Sequence, residues 1–233
     1  MSVENKDKTL EDRINELTFI VKSSKSLEIV ETISDMMLGN TFHHHFHLLF
    51  DLRTCLGASK KVYMEIGTFH GASACLMMQH LFETEIHCID PCEVEPDQYE
   101  TMQQNLSTFN HYNRTLTVHK TYSNDKQLLE SLHKSGFRAD ILFIDGDHSA
   151  KAVRSDFELY QGFVNPGGYI VFDDYMDNVY CTELHAEVDN IVKDIEKNAL
   201  SYHIIGSIEN CRNAYACIPM PSSNEFILQK KDV

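Results

Sequence analysis

ADILFIDGDHSAKAVRSDFELYQGFVNPGGYIVFDDY, residues 139–175, decides the fold. Two short apolar runs, 141–144 and 169–172, flank an amphipathic stretch at 150–163. Each run ends in acid: Asp145 after the first, Asp173 and Asp174 after the second. Short apolar runs bounded by polar punctuation read as buried strands, and a helix between them is the crossover that parallel strands need. Gly167 and Gly168 are expected to turn the chain between helix and strand. Open α/β sheets bind ligands beyond the C-terminal ends of their strands. Three carboxylates delivered there by neighbouring strands therefore mark a candidate site.

The same alternation runs outward in both directions. Strands are expected at 62–66, 86–89, 116–119, 202–208 and 226–229, and helices at 72–82, 97–109, 125–135 and 183–198. With the two strands above, this gives a seven-stranded, mostly parallel α/β sheet with helices on both faces. Residues 1–60 instead show helical spacing, with Ile14, Leu17, Ile20 and Val21, then Leu27, Val30, Ile33 and Met37, recurring at three or four. They are expected to form an N-terminal helical cap, part of the same domain as 61–233.

Composition narrows the class. A chain of 233 residues, 42% hydrophobic, supplies one sizeable core. Twenty basic residues against 35 acidic ones give a net charge of −15, which repels nucleic acid phosphates and anionic membrane surfaces, so neither is expected as a partner. No stretch reaches the ~20 apolar residues of a membrane span. The opening MSVENKDKTLEDR is too polar for a signal peptide, so a cytoplasmic location is expected. Seven cysteines lack framework spacing, and Cys55, Cys75 and Cys88 sit in apolar runs where a thiol behaves as a small hydrophobe.

VYMEIGTFHGASACLMM, residues 62–78, joins a strand to a helix through a turn with Gly67 and Gly71, where free backbone N–H groups are expected to collect around a negative ligand group. A dinucleotide fingerprint wants a glycine where Phe69 stands, so that backbone can approach a pyrophosphate. S-adenosylmethionine has only a carboxylate to hold. Asp90 in HCIDP, 23 residues after Gly67, is placed to accept from ribose hydroxyls. Ser123 and Asn124 in TYSND are small polar groups for the border of an adenine; they are equally good helix-capping chemistry.

At the acidic strand ends, three ionised carboxylates about 5 Å apart repel by roughly 3 kcal/mol per pair at an effective dielectric of 20. A cation offsets this, and oxygen ligation without cysteine points to Mg²⁺ first, with Mn²⁺ or Ca²⁺ behind it. The alternative is that Asp173 and Asp174 are solvated turn residues. His148, three residues after Asp145, is placed beside such a metal without being its ligand. A histidine there can take the proton of a substrate hydroxyl as its oxygen attacks a sulfonium methyl group.

EIGTFHG (65–71), IDP (89–91), IDGDHSAKAVRSD (144–156) and NPGGYIVFDDY (165–175) resemble the class I S-adenosylmethionine-dependent methyltransferases. The closest likeness is to metal-dependent macrolide-sugar O-methyltransferases of the methyltransferase-24 type; catechol-type O-methyltransferases are more distant. The likeness spans about 60–230 and implies a Rossmann-like fold. It places Glu65, Gly67, Thr68, Phe69, Gly71 and Ser73 at the methionine end of the cofactor, Asp90 at the ribose, and Ser123 and Asn124 at the adenine. Asp145 borders the cofactor and joins Asp173 and Asp174 as metal ligands, and His148 is the base. The acceptor it implies is a small-molecule or sugar hydroxyl. Such enzymes often pair, which keeps a homo-oligomer open. Two departures stand out: Phe69 replaces the middle glycine of the first motif, and no stretch matches a nameable acceptor pocket.

Rival readings use other residues. An NAD-dependent oxidoreductase would share the fold and Asp90. An iron oxygenase would need His185, Glu187 and His203 as a two-histidine, one-carboxylate set. A silent binding module would keep the cofactor site alone. His43 and His47 share a helix face in TFHHHFHLLFDL and suit exposed packing or a substrate mouth better than a metal. Tyr175 and Tyr180 are candidates to stack on an acceptor ring, and Arg212, in the long connection 207–225, to anchor an anion.

Overall fold

The computed structural model describes residues 9–39, 46–175, 181–198, 201–207 and 225–232. His43, Tyr180 and Arg212 lie outside these residues. Three helices come first, α1 (Leu10–Ser23), α2 (Ser26–Met36) and α3 (His47–Cys55). Then strand and helix alternate: β1 (Lys61–Ile66), α4 (Ala72–Met78), β2 (Thr84–Ile89), α5 (Gln98–Phe109), β3 (Leu116–His119), α6 (Lys126–Ser135), β4 (Ala139–Ile144) and α7 (Ala150–Tyr160). After a 3-10 turn (Gln161–Phe163) come β5 (Val164–Phe172), α8 (Thr182–Lys197), β6 (Tyr202–Ser207) and β7 (Phe226–Lys230).

Local chemistry sets the helix ends. Thr9 and Asp12 cap α1 reciprocally, Asp125 and Ser149 cap α6 and α7 through their side chains, and Gly136 stops α6 in the left-handed region. The predicted helix 72–82 stops at Met78, where the Gln79 side chain donates to the Phe109 carbonyl at 2.6 Å and anchors the turn.

The seven strands form one sheet in the order β3-β2-β1-β4-β5-β7-β6. β1 to β5 are parallel, and β7 runs antiparallel to both neighbours. Both faces are covered, so alternate strand residues enter two cores. Tyr63, Phe143, Val171 and Ile227 pack beneath α1 to α5 with Leu49, Leu76 and Leu106. Met64, Leu142, Ile170 and Leu228 pack beneath α6 to α8 with Leu132, Phe157 and Val188. The N-terminal helices join the first core, and Arg13 on α1 donates to Gln229 on β7 at 3.0 Å.

Gly167 and Gly168 do not make the expected turn before the strand. They lie within β5, whose pairing with β4 jumps from Ala139↔Val164 to Ile141↔Tyr169. Residues 165–168 bulge out, and a Cβ on Gly168 would stand 2.8 Å from the Asp140 carbonyl oxygen, too close for any side chain. No described helix is long and apolar enough to cross a membrane.

Candidate active site

Backbone pairing continues one residue past three neighbouring strand tips. Gly67 N–H donates to Ile89, Asp145 N–H to Ile66 and Asp173 N–H to Ile144, all within 3.0 Å. The residues following β1, β4 and β5 are thereby held side by side. Above them lies a cavity of about 670 Å³, ordinary for a cofactor-sized ligand. Its walls include Gly67, Thr68, Phe69, Ser73, Asp90, Ser123, Asn124, Asp145, His148 and Asp174. Glu65, Gly71 and Asp173 stand behind the wall.

The loop from Gly67 to Gly71 is shaped by its neighbours. Gly67 and Gly71 both have φ of +86°, and Phe69 adopts +46°, a strained value for a bulky residue. Most of the loop's own N–H groups are claimed within the chain. Thr68 and Phe69 donate theirs to Asp90 Oδ2 at 2.9 and 2.8 Å, and Gly71 donates to the Thr68 carbonyl. Asp90 Oδ1 accepts from Cys92 N–H at 2.6 Å and Gln98 Nε2 at 3.0 Å. A carboxylate has about four acceptor positions, so this one is filled by the chain and acts first as the clamp of the loop.

Beneath the loop Glu65 is fully buried. Its Oε2 accepts from Tyr63 and Ser73 hydroxyls at 2.8 and 2.6 Å, while Oε1 is buried with no hydrogen bond of its own. Burial raises its pKa, with hydrogen bonds from Ser73 and Tyr63 working the other way. At the opposite wall Ser123 donates to Asp156 at 2.6 Å, and Tyr160 donates to the Ser123 carbonyl at 2.6 Å. Burial lifts Asp156 to about 6. Asp156 was not among the predicted residues, although Ser149, Ala152 and Asp156 recur at helical spacing and all face the cavity.

The acidic residues meet as expected. Asp145, Asp173 and Asp174 each offer an oxygen within 4.8 Å of the others. Asp173 is 1% exposed, and Asp174 sits at φ +53°. Burial, then the Asp173 and Asp174 charges, push Asp145 well above the usual carboxylate range. Three hard oxygen donors whose mutual repulsion resists ionisation fit a divalent cation.

His148 faces this cluster. Its Nε2 lies 3.5 Å from Asp145 Oδ1 and 3.7 Å from Asp174 Oδ2 and is itself buried without a hydrogen bond, while the side chain as a whole is 30% exposed at the cavity wall. The loop beneath it is fixed by Ser149 N–H donating to Asp147 at 2.8 Å. Cys181, which no sequence pattern marks as a site residue, has its Sγ 3.1 Å from His148 Nδ1 and 3.7 Å from Asp174 Oδ2. Its only signal was a thiol opening the helix after the acidic pair.

Other expected residues take structural roles. His185 bonds the Tyr175 carbonyl at 2.7 Å, Glu187 pairs with Arg154, and His203 is on β6, so the iron-binding set does not assemble. The Tyr175 hydroxyl donates to Asp189 at 2.8 Å and its ring packs on Phe226, which removes it from an acceptor-stacking role. His47 is 4% exposed, inside the core and not at a substrate mouth.

Comparison with known proteins matches residues 64–175 to the methyltransferase-24 family, described as a methyltransferase domain. An uncharacterized protein of Acanthamoeba polyphaga mimivirus is 38% identical over 206 residues, covering 86% of this chain and 93% of that protein. The O-methyltransferase TomG of Streptomyces achromogenes, solved with S-adenosylmethionine, superposes with a TM-score of 0.59 at 16% identity over 94% of this chain and 96% of that one. A crystal structure from Klebsiella pneumoniae, described as a candidate O-methyltransferase, gives 0.60 at 16% identity, covering 94% and 96%. At this identity the two structures speak for the fold.

Proposed function

The chain belongs to the class I methyltransferases of the methyltransferase-24 type, and on that premise we propose that it transfers a methyl group from S-adenosylmethionine to a hydroxyl of a small molecule or sugar. Asp145, Asp173 and Asp174 would hold a divalent cation, Mg²⁺ first by donor type, and His148 is the general base. The cation would supply polarisation of the acceptor oxygen. The observation that carries this reading is the convergence of His148, Asp145 and Asp174 at the wall of the cavity that the Gly67–Gly71 loop also lines, with Asp173 directly behind them.

The roles of the chain's own residues follow from their positions. Glu65, buried behind the wall, accepts from the Ser73 hydroxyl and so fixes the first turn of α4 where it lines the cavity. Asp90 holds the Gly67–Gly71 loop in its strained form and borders the ribose, and Ser123 and Asn124 border the adenine. Phe69, at a positive φ without being glycine, keeps side-chain bulk where a pyrophosphate would need bare backbone. That counts against a dinucleotide. His148, whose ring lines the cavity, removes the hydroxyl proton when an acceptor oxygen reaches the Nε2 held beside Asp145 and Asp174, and those carboxylates face the imidazole that becomes charged.

Calorimetric titration with S-adenosylhomocysteine and NAD, followed by a screen of acceptor classes with labelled methyl donor in the presence and absence of chelator, tests the proposal. The homocysteine ligand is expected to bind and NAD is not. Chelation is expected to abolish transfer while leaving that binding intact. NAD binding alone overturns the methyl donor, and full activity in excess chelator removes the cation.

A further inference from the structure

The acidic cluster is one of two ligand sets at this strand edge. His148, Asp174 and Cys181 also bring a nitrogen, an oxygen and a sulfur within 4.8 Å of one another, and Asp174 belongs to both sets. Cys181 is 5% exposed and opens α8. We propose that His148, Asp174 and Cys181 form a transition-metal site for Zn²⁺ or Co²⁺, and that its occupation withdraws His148 from catalysis.

Zn–S bonds of about 2.3 Å and Zn–N or Zn–O bonds of about 2.0–2.2 Å, arranged tetrahedrally, set neighbouring ligand atoms roughly 3.3–3.7 Å apart. The spacings here are 3.1 Å from Sγ to Nδ1 and 3.7 Å from Sγ to the Asp174 oxygen, close to that edge before any adjustment. A thiolate and an imidazole select a borderline metal over Mg²⁺, which prefers the oxygen-only set beside it. Coordination releases the thiol proton to solvent and fills the Nδ1 lone pair. The imidazole then donates from Nε2, the nitrogen facing Asp145 and Asp174, and no longer has a position from which to accept a proton. Three protein ligands leave a fourth position for water, so the site is open and its occupation reversible.

The inhibitory consequence rests on the proposed roles of His148 as base and of Asp174 in the oxygen-only set; the metal site itself rests on neither. The test titrates metal-free protein with Co²⁺ and reads the near-ultraviolet thiolate-to-cobalt charge-transfer band. The band is expected to saturate at one equivalent and to persist in Asp173→Asn. It should be absent from both Cys181→Ser and Cys181→Ala, each checked for an unchanged thermal transition. Zn²⁺ should displace the cobalt and bind at least about tenfold more weakly to the two Cys181 variants. No band in the wild type, or equal Zn²⁺ affinity in wild type and variants, overturns the site. One equivalent of Zn²⁺ should also suppress methyl transfer in the wild type. If the band forms and transfer continues undiminished, the site stands and His148 is not the base.

Discussion

A Cβ atom placed on Gly67 would lie 1.9 Å from the carbonyl oxygen of Asp145. The tips of β1 and β4 thus approach so closely that only hydrogen fits between them, and the φ of +86° at Gly67 independently favours glycine. Gly67→Ala must part the two strands that carry the loop and the acidic cluster. Strain and overpacking together are expected to cost about 3 kcal/mol or more, read as a lower denaturation midpoint, with weaker binding of S-adenosylhomocysteine. An unchanged midpoint would show that the two tips separate freely.

Asp90 accepts two N–H groups of the loop on one oxygen and two further donors on the other. Asp90→Asn replaces one acceptor oxygen by an amide that only donates, so whichever way it turns it faces a chain donor. Cofactor affinity is expected to fall by about ten- to a hundredfold, the effect of losing one or two charge-assisted bonds, with a smaller loss of thermal stability. Calorimetry on the purified variant decides this, and unaltered affinity would remove Asp90 from loop positioning.

His148→Ala separates chemistry from binding. Loss of a general base is expected to lower turnover by about a hundredfold or more, while S-adenosylhomocysteine affinity stays within a factor of about two. Should turnover and affinity fall together, the imidazole is holding the site and not moving a proton.

Much of this site could be read from the chain because its residues follow strands directly. Asp145 comes immediately after one apolar run and the Asp173–Asp174 pair after the next, and neighbouring parallel strands whose tips pair, Ile144 opposite Phe172, bring such residues together. Cys181 could not be read that way. It meets His148 because the start of α8 lies beside the loop that follows β4, a juxtaposition no local pattern encodes. The glycine pair at 167–168 was ambiguous for a different reason, since turns and bulges both need residues without side chains. Asp90 follows β2 and lines the cavity, but a sequence does not show which donors claim a carboxylate. Here a loop more than twenty residues earlier claims one of its oxygens.

Arg53 is wholly buried in the N-terminal helices. Its guanidinium donates to Thr84 at 2.9 Å and to the carbonyls of Gly57, Ser59 and Glu83 at 2.7, 2.9 and 2.8 Å. Burial lowers its pKa to about 10, which leaves it charged at neutral pH. Arg53→Met strands four acceptors and is expected to cost about 3–5 kcal/mol in urea denaturation. Arg53→Lys keeps the charge but not the planar fork, and is expected to recover less than half of that. Full recovery by lysine would mean that charge alone holds the segment.

Asp51 predicts an unusual pH dependence. It is 1% exposed, with Oδ2 accepting from the Ser26 hydroxyl at 3.1 Å and Oδ1 buried without a bond. Burial raises its pKa from 3.8 to about 7, while hydrogen bonds from Ser24 and Ser26 work against that rise. Between those values the folded chain keeps a proton that the unfolded chain has lost, so this group weakens the fold as pH rises from about 4 to 7 and adds no further slope above. His80 slopes the other way: burial, with Arg53 and Arg114, lowers it to about 4, so its contribution is present above pH 6.5 and lost as pH falls through 4. His80 is common to wild type and Asp51→Asn and cancels in their difference. The asparagine variant should match the wild type near pH 4 and exceed it by roughly 2–4 kcal/mol at pH 8, measured by urea denaturation across that range. A difference that stays constant with pH would show that Asp51 ionises in the folded protein as readily as in the unfolded chain.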